Sequence, residues 1–301
     1  MNSRMADQLL FTVIIPTHNR PAWLNQAIDS VLGQQFEDWE LIVIDDGSNP
    51  PVRDRVSQYT DPRIRYVYQE NCGLGLTRQR GVELSVGKFV CFLDDDDYYL
   101  PGHLDCLAKA YRVHGSDDCL FKVGTHHLYP DGKLQKGKLF SANRSALLQH
   151  WEDPEGIFPY AIPRRFAQKI PSLGFFLTED FEWLGRLLLH LPVKQLTCYT
   201  IVCRLHSANR SRVLVSRGAL TARLEAVDYL YAQEGMSDHI PKTLYHRMQN
   251  HQCLHWVRQC LRMGRVKEAS YGVMQALKYP SRLSIKEWGY TGLVVLRSLF
   301  R

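Results

Sequence analysis

No hydrophobic run in the sequence is long enough to cross a membrane. The most apolar segments, Phe89–Leu93 and Leu293–Leu296, are far shorter than the roughly 18–20 residues of a membrane-spanning helix. The polar residues Met1–Gln8 lead directly into an apolar segment that ends at Pro16, so no secretory signal is visible. These absences predict a soluble, cytoplasmic protein.

The cysteines give no sign of a metal site or of a disulfide framework. The chain has eight of them, without a CxxC pair and without a dense cluster. Zinc sites and disulfide-rich folds depend on closely and regularly spaced cysteines. We therefore expect these residues to be small buried side chains in a reducing compartment.

Most of the chain has no excess of charge of either sign. Hydrophobic residues make up 45% and charged residues 23% of the 301 positions, as in an ordinary globular chain of about two domains. From Val215 onward the chain has 13 Lys/Arg and 6 Asp/Glu, whereas the preceding part is nearly balanced. A basic tail of this kind is compatible with nucleic acid, an anionic membrane surface or an acidic partner.

What the sequence does contain is an alternation of strand and helix patterns. Apolar, β-branched runs predict strands at Leu10–Ile15, Glu40–Ile44, Ile64–Tyr68, Lys88–Leu93, Cys119–Thr125 and Val193–Arg204. Helical spacing of apolar residues predicts helices at Pro21–Gln35, Thr77–Val86, Pro101–His114 and Leu177–His190. We expect loops over Pro130–Arg165 and helices after about Leu214. The alternation predicts an α/β fold with an open, mostly parallel sheet, which binds ligands beyond the carboxyl ends of its strands.

Two acidic clusters directly follow predicted strands. Asp45 and Asp46 precede Gly47, and adjacent acids there either satisfy a turn or bind a base or ribose. The run Asp94–Asp97 follows another strand. A charge run is usually solvated, but four carboxylates beside a buried strand repel one another unless a cation neutralises them. Mg²⁺ or Mn²⁺ with a diphosphate would suit such a cluster.

Three further positions have both a structural and a functional interpretation. Arg78 lies in the glycine-containing stretch Gly73–Gly81, where a guanidinium could grip phosphate, although the stretch is neither a Walker loop nor a GxGxxG motif. Asp180, beside Glu179, opens a predicted helix, where acids commonly complement the helix dipole. His206 follows the last predicted strand, where a lone histidine is more often structural than a ligand.

In combination these motifs resemble the family 2 glycosyltransferases of GT-A fold. The resemblance extends over about residues 10–211 and consists of Val13–Arg20, Leu41–Ser48, Gly73–Gly81, Phe92–Asp97 and Glu179–Asp180. It implies a GT-A domain over residues 1–213, with a nucleotide-binding half at about 10–125 and an acceptor-binding half at about 126–213. Residues 214–301 form a helical region outside the common core.

The resemblance also implies roles for individual residues. The residues expected to bind the nucleotide sugar are Pro16, Thr17, His18, Asn19, Asp45, Asp46, Arg78, Asp94 and Asp95. Among them, Asp46 would hold the base and Asp45 would support its loop. A divalent cation, Mn²⁺ or Mg²⁺, would be bound by Asp96, the best candidate, with Asp94 and His206. Asp180 would be the catalytic base.

The implied activity is the inverting transfer of a sugar from a nucleoside diphosphate sugar to an acceptor hydroxyl, in cell-surface polysaccharide or glycolipid assembly. The QxxRW signature of processive members is absent, and Arg204–His206 stands in its place, which favours the addition of one or few sugars. Thr77–Gln79 replaces the more usual Ala-Arg-Asn but keeps the arginine. A sugar-phosphate nucleotidyltransferase and a non-catalytic sugar-nucleotide-binding protein are the alternatives.

The implied partners are the donor and a saccharide or lipid-linked saccharide acceptor, without nucleic acid. The aromatic and basic segment Trp288–Arg301 could also lie on the inner face of a membrane, although simple packing of the C-terminal helices is the more common use of such patterns.

Overall fold

The computed structural model describes residues 9–174, 179–206 and 216–279. By their contacts these residues form two compact units. The first lies within Met1–Ala146, Gly156–Gly174 and His190–His206, and the second within Leu147–Glu155, Phe175–Leu189 and Ser207–Arg301. The sequence-based domain boundary at residue 213 stays a prediction. The segment Trp288–Arg301, with its expected membrane contact, lies outside the described residues.

The first unit contains a nine-stranded sheet among the described residues, in the order β3-β2-β1-β4-β8-β6-β9-β5, with β7 paired to β6. Its strands are β1 (Phe11–Thr17), β2 (Trp39–Asp46), β3 (Ile64–Gln69), β4 (Phe89–Phe92), β5 (Tyr98–Tyr99), β6 (Leu120–Leu128), β7 (Leu134–Lys136), β8 (Tyr160–Pro163) and β9 (Val193–Arg204). Strands β1 to β4 pair in parallel, as do β6 and β9. Antiparallel pairs involve β5, β7 and β8. The predicted α/β class is confirmed.

Eleven helices occur among the described residues. They are α1 (Pro21–Leu32), α2 (Arg53–Val56), α3 (Leu74–Leu84), α4 (His103–His114), α5 (Ala146–Glu152), α6 (Arg164–Lys169), α7 (Glu179–His190), α8 (Arg217–Tyr231), α9 (Met236–His239), α10 (Lys242–Arg262) and α11 (Val266–Ala276). Most of α5 and α7 and all of α8 to α11 belong to the second unit. No helix in the described ranges combines the length and apolar character needed to cross a membrane.

The central parallel strands β1, β2 and β4 are buried along their whole length, which explains their continuous apolar runs. Every residue of β1 and β2 is buried. Apolar side chains of α1, including Leu24 and Ile28, belong to one core with Val13 and Leu41 of the strands. Because both faces of these strands are covered, the polar residues at the strand ends stand out as exceptions that require an explanation.

The region predicted to be loops, Pro130–Arg165, contains more regular structure than expected. Strand β8 lies in it and pairs antiparallel with both β4 and β6. All four of its residues are buried. A buried strand this short, ending in Pro163, has no alternation of polar and apolar residues that a sequence pattern could reveal.

The expectation that the cysteines are buried free thiols is wrong for one disulfide-bonded pair and for the exposed Cys72. Cys106 of α4 and Cys198 of β9 form a disulfide across 92 residues of sequence. Five other cysteines are buried free thiols, and Cys72 is an exposed one. The pairing depends on the contact of α4 with β9, so the local spacing of cysteines in the sequence could not have predicted it.

The second unit encloses a neutral histidine. His150 of α5 is completely buried, its Nε2 lies 3.0 Å from the Phe181 carbonyl oxygen, and its ring stacks on the Phe181 ring. The Nδ1 atom has no hydrogen-bond partner, so Nε2 carries the proton and donates it to the carbonyl. Burial lowers the pKa of His150 to about 4, although the bond to Phe181 acts in the opposite direction.

We expect this histidine to make stability pH-dependent. Between pH 6.5 and about 4 the unfolded chain binds a proton at His150 that the folded chain does not, so stability falls as the pH falls. His150→Gln keeps a neutral hydrogen-bond donor. It should reduce by about 2 kcal/mol the loss in free energy of unfolding that the protein shows between about pH 7 and pH 5. Urea unfolding at several pH values measures this. His239→Gln, at an exposed position of α9, is the control, and an equal slope in both variants would contradict the expectation.

Candidate functional site

Polar residues collect where the parallel strands of the first unit end. Strand β1 ends at Thr17, β2 ends at Asp46, and the acidic run Asp94–Asp97 follows β4. These three strands are neighbours in the sheet and run in parallel, with Thr17 opposite Asp45. Their carboxyl ends therefore meet at one edge, as predicted from the order of motifs.

Asp45 stabilises the turn after β2. It is fully buried, and its two carboxylate oxygens accept hydrogen bonds from the backbone N–H groups of Ser48 and Val52, both at 2.9 Å. The hydroxyl of Tyr66 on β3 donates a third bond, at 2.8 Å. These bonds hold the turn after β2 and link it to β3, and the supporting role of Asp45 in nucleotide binding stays a prediction.

Asp46 receives donors from the last residue of β3 and from the loop between β3 and α3. The backbone N–H groups of Cys72 and Gly73 donate to its carboxylate at 2.9 and 3.0 Å, and Gln69 Nε2 donates at 2.8 Å. Burial by itself would raise the pKa of Asp46, but these hydrogen bonds outweigh it and lower the pKa. Asp46 is therefore ionised, and a base bound there would share or replace these donors.

The turn after β1 is fastened to the turn after β2. His18 Nδ1 lies 2.7 Å from the Asp46 carbonyl oxygen. Asn19 has a positive φ of 54°, its backbone N–H donates to Ser48 Oγ at 2.9 Å, and its side-chain oxygen accepts from the Asn49 N–H at 2.8 Å. Asparagine tolerates this left-handed conformation well. Hydrogen bonds thus connect the turns after β1 and β2 into one wall at the strand ends. This wall includes the predicted residues Thr17, His18 and Asn19, which follow the buried Pro16.

The first carboxylate of the acidic run pairs with a buried guanidinium. Arg78 of α3 is 1% exposed, and its Nη2 lies 2.7 Å from Asp94 Oδ1. The guanidinium also lies over the ring of Phe92, 5.7 Å from its centroid. Because a buried ion pair is costly to separate, Arg78 holds Asp94 in place.

The next two carboxylates share a second arginine. Arg20 Nη2 lies 3.1 Å from Asp95 Oδ1, and its Nη1 lies 2.6 Å from Asp96 Oδ2. Thr17 Oγ1 donates to the other oxygen of Asp95 at 2.7 Å. Burial raises the pKa of Asp95 to about 7, although Arg20 and Thr17 act in the opposite direction. The loss of solvent around this carboxyl therefore outweighs its ion pair and hydrogen bond.

Strand β9 and the residues directly after it bring a guanidinium and an imidazole to the cluster. His206 Nε2 lies 3.0 Å from Asp96 Oδ2, and the ring of His206 packs against Trp23 with centroids 4.5 Å apart. The backbone N–H of Arg204 donates to Asp97 Oδ1 at 2.9 Å, and its guanidinium donates to the Asp96 carbonyl. Burial and the charges of Asp94 and Asp96 raise the pKa of Asp97 well above its ordinary value.

The donor set fits a hard divalent cation. One oxygen from each of Asp94, Asp96 and Asp97 lies within 4.8 Å of the others. Carboxylate oxygens are the preferred ligands of Mg²⁺ and Mn²⁺. A cation would relieve the repulsion from Asp94 and Asp96 that, in addition to burial, raises the pKa of Asp97. The predicted pair Asp94 and Asp96 belongs to this group, Asp97 joins it, and His206 contacts it through Asp96.

Three participants were missed by the sequence analysis, namely Arg20, Trp23 and Arg204. Asp97 belonged to the predicted acidic cluster but was not singled out as a metal ligand. A usable signal was present for the arginines. Four carboxylates need counter-ions, and Arg20 and Arg204 lie at or just after the ends of β1 and β9. Trp23 had no comparable signal, because its contact with His206 depends on the position of β9 in the sheet.

Asp180 lies on the first turn of α7, in the second unit, and is half-buried. Its neighbour Glu179 is buried, and Glu182 one turn further pairs with Arg186. The helix thus begins with Glu179 and Asp180 in its first turn, as predicted. The convergence of Asp180 with the acidic run stays a prediction.

Comparisons with known sequences agree on one family. A family model described as glycosyl transferase family 2 matches residues 12–161. TuaG of Bacillus subtilis, a putative teichuronic acid biosynthesis glycosyltransferase, is 37% identical over 139 residues, or 45% of this chain and 54% of TuaG. A GalNAc(5)-diNAcBac-PP-undecaprenol beta-1,3-glucosyltransferase of Campylobacter jejuni is 38% identical over 118 residues, or 37% of this chain and 38% of that protein.

An uncharacterized glycosyltransferase of Rickettsia bellii is 38% identical over 112 residues, or 36% of this chain and 16% of that protein. The chain therefore spans from about a sixth to about half of the length of these curated relatives. The family match includes the strand ends and the acidic run but stops before Asp180 and His206.

Solved structures show the same fold. The crystal structure of S. aureus TarS 1-349 in complex with UDP-GlcNAc has a TM-score of 0.65 and 14% identity, covering 90% of this chain and 89% of that chain. The same TarS fragment in complex with UDP has a TM-score of 0.57 and 15% identity, covering 90% and 88%. This similarity supports the predicted GT-A architecture.

Proposed function

The chain belongs to the family 2 glycosyltransferases, and we propose that it transfers a sugar from a nucleoside diphosphate sugar to the hydroxyl of a saccharide or lipid-linked acceptor, inverting the anomeric centre. The observation that carries the proposal is the cluster of Asp94–Asp97 with its own cations at the ends of the parallel strands. Such a cluster is suited to binding a divalent cation together with a diphosphate. A leaving nucleoside diphosphate requires a cation of this kind to stabilise its negative charge.

Donor binding would use the wall formed by the turns after β1 and β2. Thr17, His18 and Asn19 would line the nucleotide pocket, and the ionised Asp46 would accept a hydrogen bond from the base or ribose. The support is the low pKa of Asp46 and the fixed geometry of the Asn19 turn. Arg78, already charged and beside Asp94, would face the diphosphate or the sugar.

Departure of the nucleoside diphosphate requires neutralisation of its growing negative charge. A divalent cation held by Asp94, Asp96 and Asp97 would supply Lewis-acid stabilisation of that charge when bound. The chain itself contributes Arg78, Arg204 and His206 around these acids, and His206 would help to orient Asp96 and the diphosphate. A fixed cationic surrounding of this kind needs no reorganisation during the reaction.

Attack by the acceptor requires a base on the far side of the anomeric carbon. We propose that the Asp180 carboxylate removes the acceptor hydroxyl proton while that oxygen forms its bond to the anomeric carbon. The bond from that carbon to the diphosphate oxygen breaks at the same time, and the single displacement inverts the configuration. The acids on the first turn of α7 include this residue, half-buried.

The class of product is suggested by the relatives. The names of the B. subtilis and C. jejuni proteins refer to teichuronic acid biosynthesis and to an undecaprenol-linked saccharide. We propose by analogy a role in cell-surface polysaccharide or glycolipid assembly, with a uridine donor as the first to be tested because the TarS fragment was crystallised with UDP-GlcNAc. The absence of QxxRW supports the addition of one or few sugars.

The direct test is incubation of the protein with a panel of nucleoside diphosphate sugars, Mn²⁺ and saccharide acceptors. Release of nucleoside diphosphate together with a new glycoside is the expected result. A nucleotidyltransferase would instead release pyrophosphate from a nucleoside triphosphate and a sugar phosphate. Donor binding without turnover of any pair would indicate a binding protein, and either of these results would contradict the proposal.

A further inference from the structure

Arg20 occupies the acidic cluster in a way that the proposed function does not explain. Its guanidinium spans two neighbouring carboxylates, with Nη2 3.1 Å from Asp95 Oδ1 and Nη1 2.6 Å from Asp96 Oδ2. The same oxygen of Asp96 also lies 3.0 Å from His206 Nε2. The carboxylate best placed to bind a metal is therefore already paired with the Arg20 guanidinium and in contact with the His206 ring.

The two arginines of the cluster differ in exposure. The side chain of Arg78 is 1% exposed, whereas that of Arg20 is 32% exposed. Arg20 follows Asn19, whose bonds to Ser48 and Asn49 hold the backbone of the turn independently of the guanidinium. The Arg20 side chain is therefore the more accessible of the two arginines, and it can leave Asp96 without undoing the turn once another cation neutralises the acids.

Charge keeps Arg20 in place as long as nothing else neutralises the acids. Burial would lower the pKa of Arg20, but Asp95, Asp96, Asp94 and Asp97 together raise it. A divalent cation at Asp96 would place a second positive charge within a few ångströms of this guanidinium. The cation and Arg20 then repel each other, and the anionic diphosphate of a donor is a group that could take over the guanidinium.

We propose that Arg20 is an internal counter-ion that competes with the divalent cation for Asp96 and moves to the donor diphosphate when the cation binds. Arg20 thereby couples the two binding steps: the cation binds weakly alone and tightly with the nucleotide. Such coupling is reciprocal, so the nucleotide also binds more tightly with the cation. The inference rests on the proposed metal and donor site, and Arg20 acts in it as a positioning residue.

The test measures Mn²⁺ binding by calorimetry, with and without UDP or GDP, in the full chain and in Arg20→Gln. Without nucleotide, we expect Arg20→Gln to bind Mn²⁺ about tenfold more tightly than the natural chain, because Mn²⁺ no longer competes with a guanidinium for Asp96. With nucleotide, the enhancement of Mn²⁺ affinity should shrink by a similar factor. Arg20→Lys, which keeps a cation but loses the two-carboxylate span, should lie between them.

Arg65→Gln is the matched control. Arg65 also pairs with one carboxylate, Glu40 at 3.1 Å, away from the acidic run, and its loss changes the net charge by the same amount. Unchanged or weaker Mn²⁺ binding in Arg20→Gln, with binding still dependent on Asp96, would overturn the Arg20 proposal alone. Mn²⁺ binding that is insensitive to Asp96→Asn in every variant would overturn the metal site and the Arg20 proposal together. Circular dichroism establishes that each variant is folded.

Discussion

Replacing Asp180 with asparagine is expected to lower kcat by about 10²–10⁴-fold, the usual contribution of a general base. Asparagine keeps the size and position of the side chain on α7 but cannot accept the acceptor proton. The proton must then leave to water, so the attacking oxygen is a weaker nucleophile in the transition state. Donor affinity should change little, because the proposed role of Asp180 concerns the acceptor.

The measurement combines steady-state kinetics with calorimetric titration of the donor. Asp238→Asn is the control, since Asp238 is an exposed acid near the start of another helix of the same unit. It should leave kcat unchanged. Near-normal transfer by Asp180→Asn, with unaltered donor binding, would show that another group removes the proton.

Replacing Asp96 with asparagine is expected to abolish Mn²⁺-dependent donor binding. The change removes one of three carboxylates whose oxygens lie within 4.8 Å of one another. It also leaves Arg20 and His206 without the negative charge that both contact, so the local potential becomes more positive. A divalent cation is then opposed by the remaining cations as well as deprived of a ligand.

Donor titration with Mn²⁺ and with EDTA measures this loss. Asp131→Asn, at an exposed turn of the first unit, removes a carboxylate of equal charge and should bind the donor as the natural chain does. Equal Mn²⁺-dependent affinity in Asp96→Asn and Asp131→Asn would exclude Asp96 from the metal site.

Much of this architecture could be predicted because parallel buried strands have a strong local signature. Strand β9 was predicted with its observed bounds, Val193–Arg204, and β1 and β2 to within two residues at either end. The acids were located from position alone, since a carboxylate directly after such a strand must lie at the ligand-binding edge of the sheet. The run Asp94–Asp97 was located in this way, whereas the choice of Asp94 and Asp96 within it rested on the family resemblance.

Other features depend on which segments become neighbours only after folding. Arg20 and Arg204 contact Asp96 from 76 and 108 residues away in sequence. Strand β8 forms by pairing with β4 on one side and β6 on the other. The Cys106–Cys198 disulfide requires the contact of α4 with β9. Single-sequence patterns contain local periodicity, not strand order, so these features could be recognised only in the folded chain.

The central claim is that an acid-bound cation and a separate carboxylate base act on the same donor. A crystal structure of the full chain with Mn²⁺ and a nucleoside diphosphate sugar tests it most directly. The account predicts Mn²⁺ bound to Asp96 and to the donor diphosphate, with the Asp180 carboxylate facing the anomeric carbon on the side opposite the leaving group. A donor bound away from Asp94–Asp97, or an Asp180 carboxylate remote from the sugar, would contradict it.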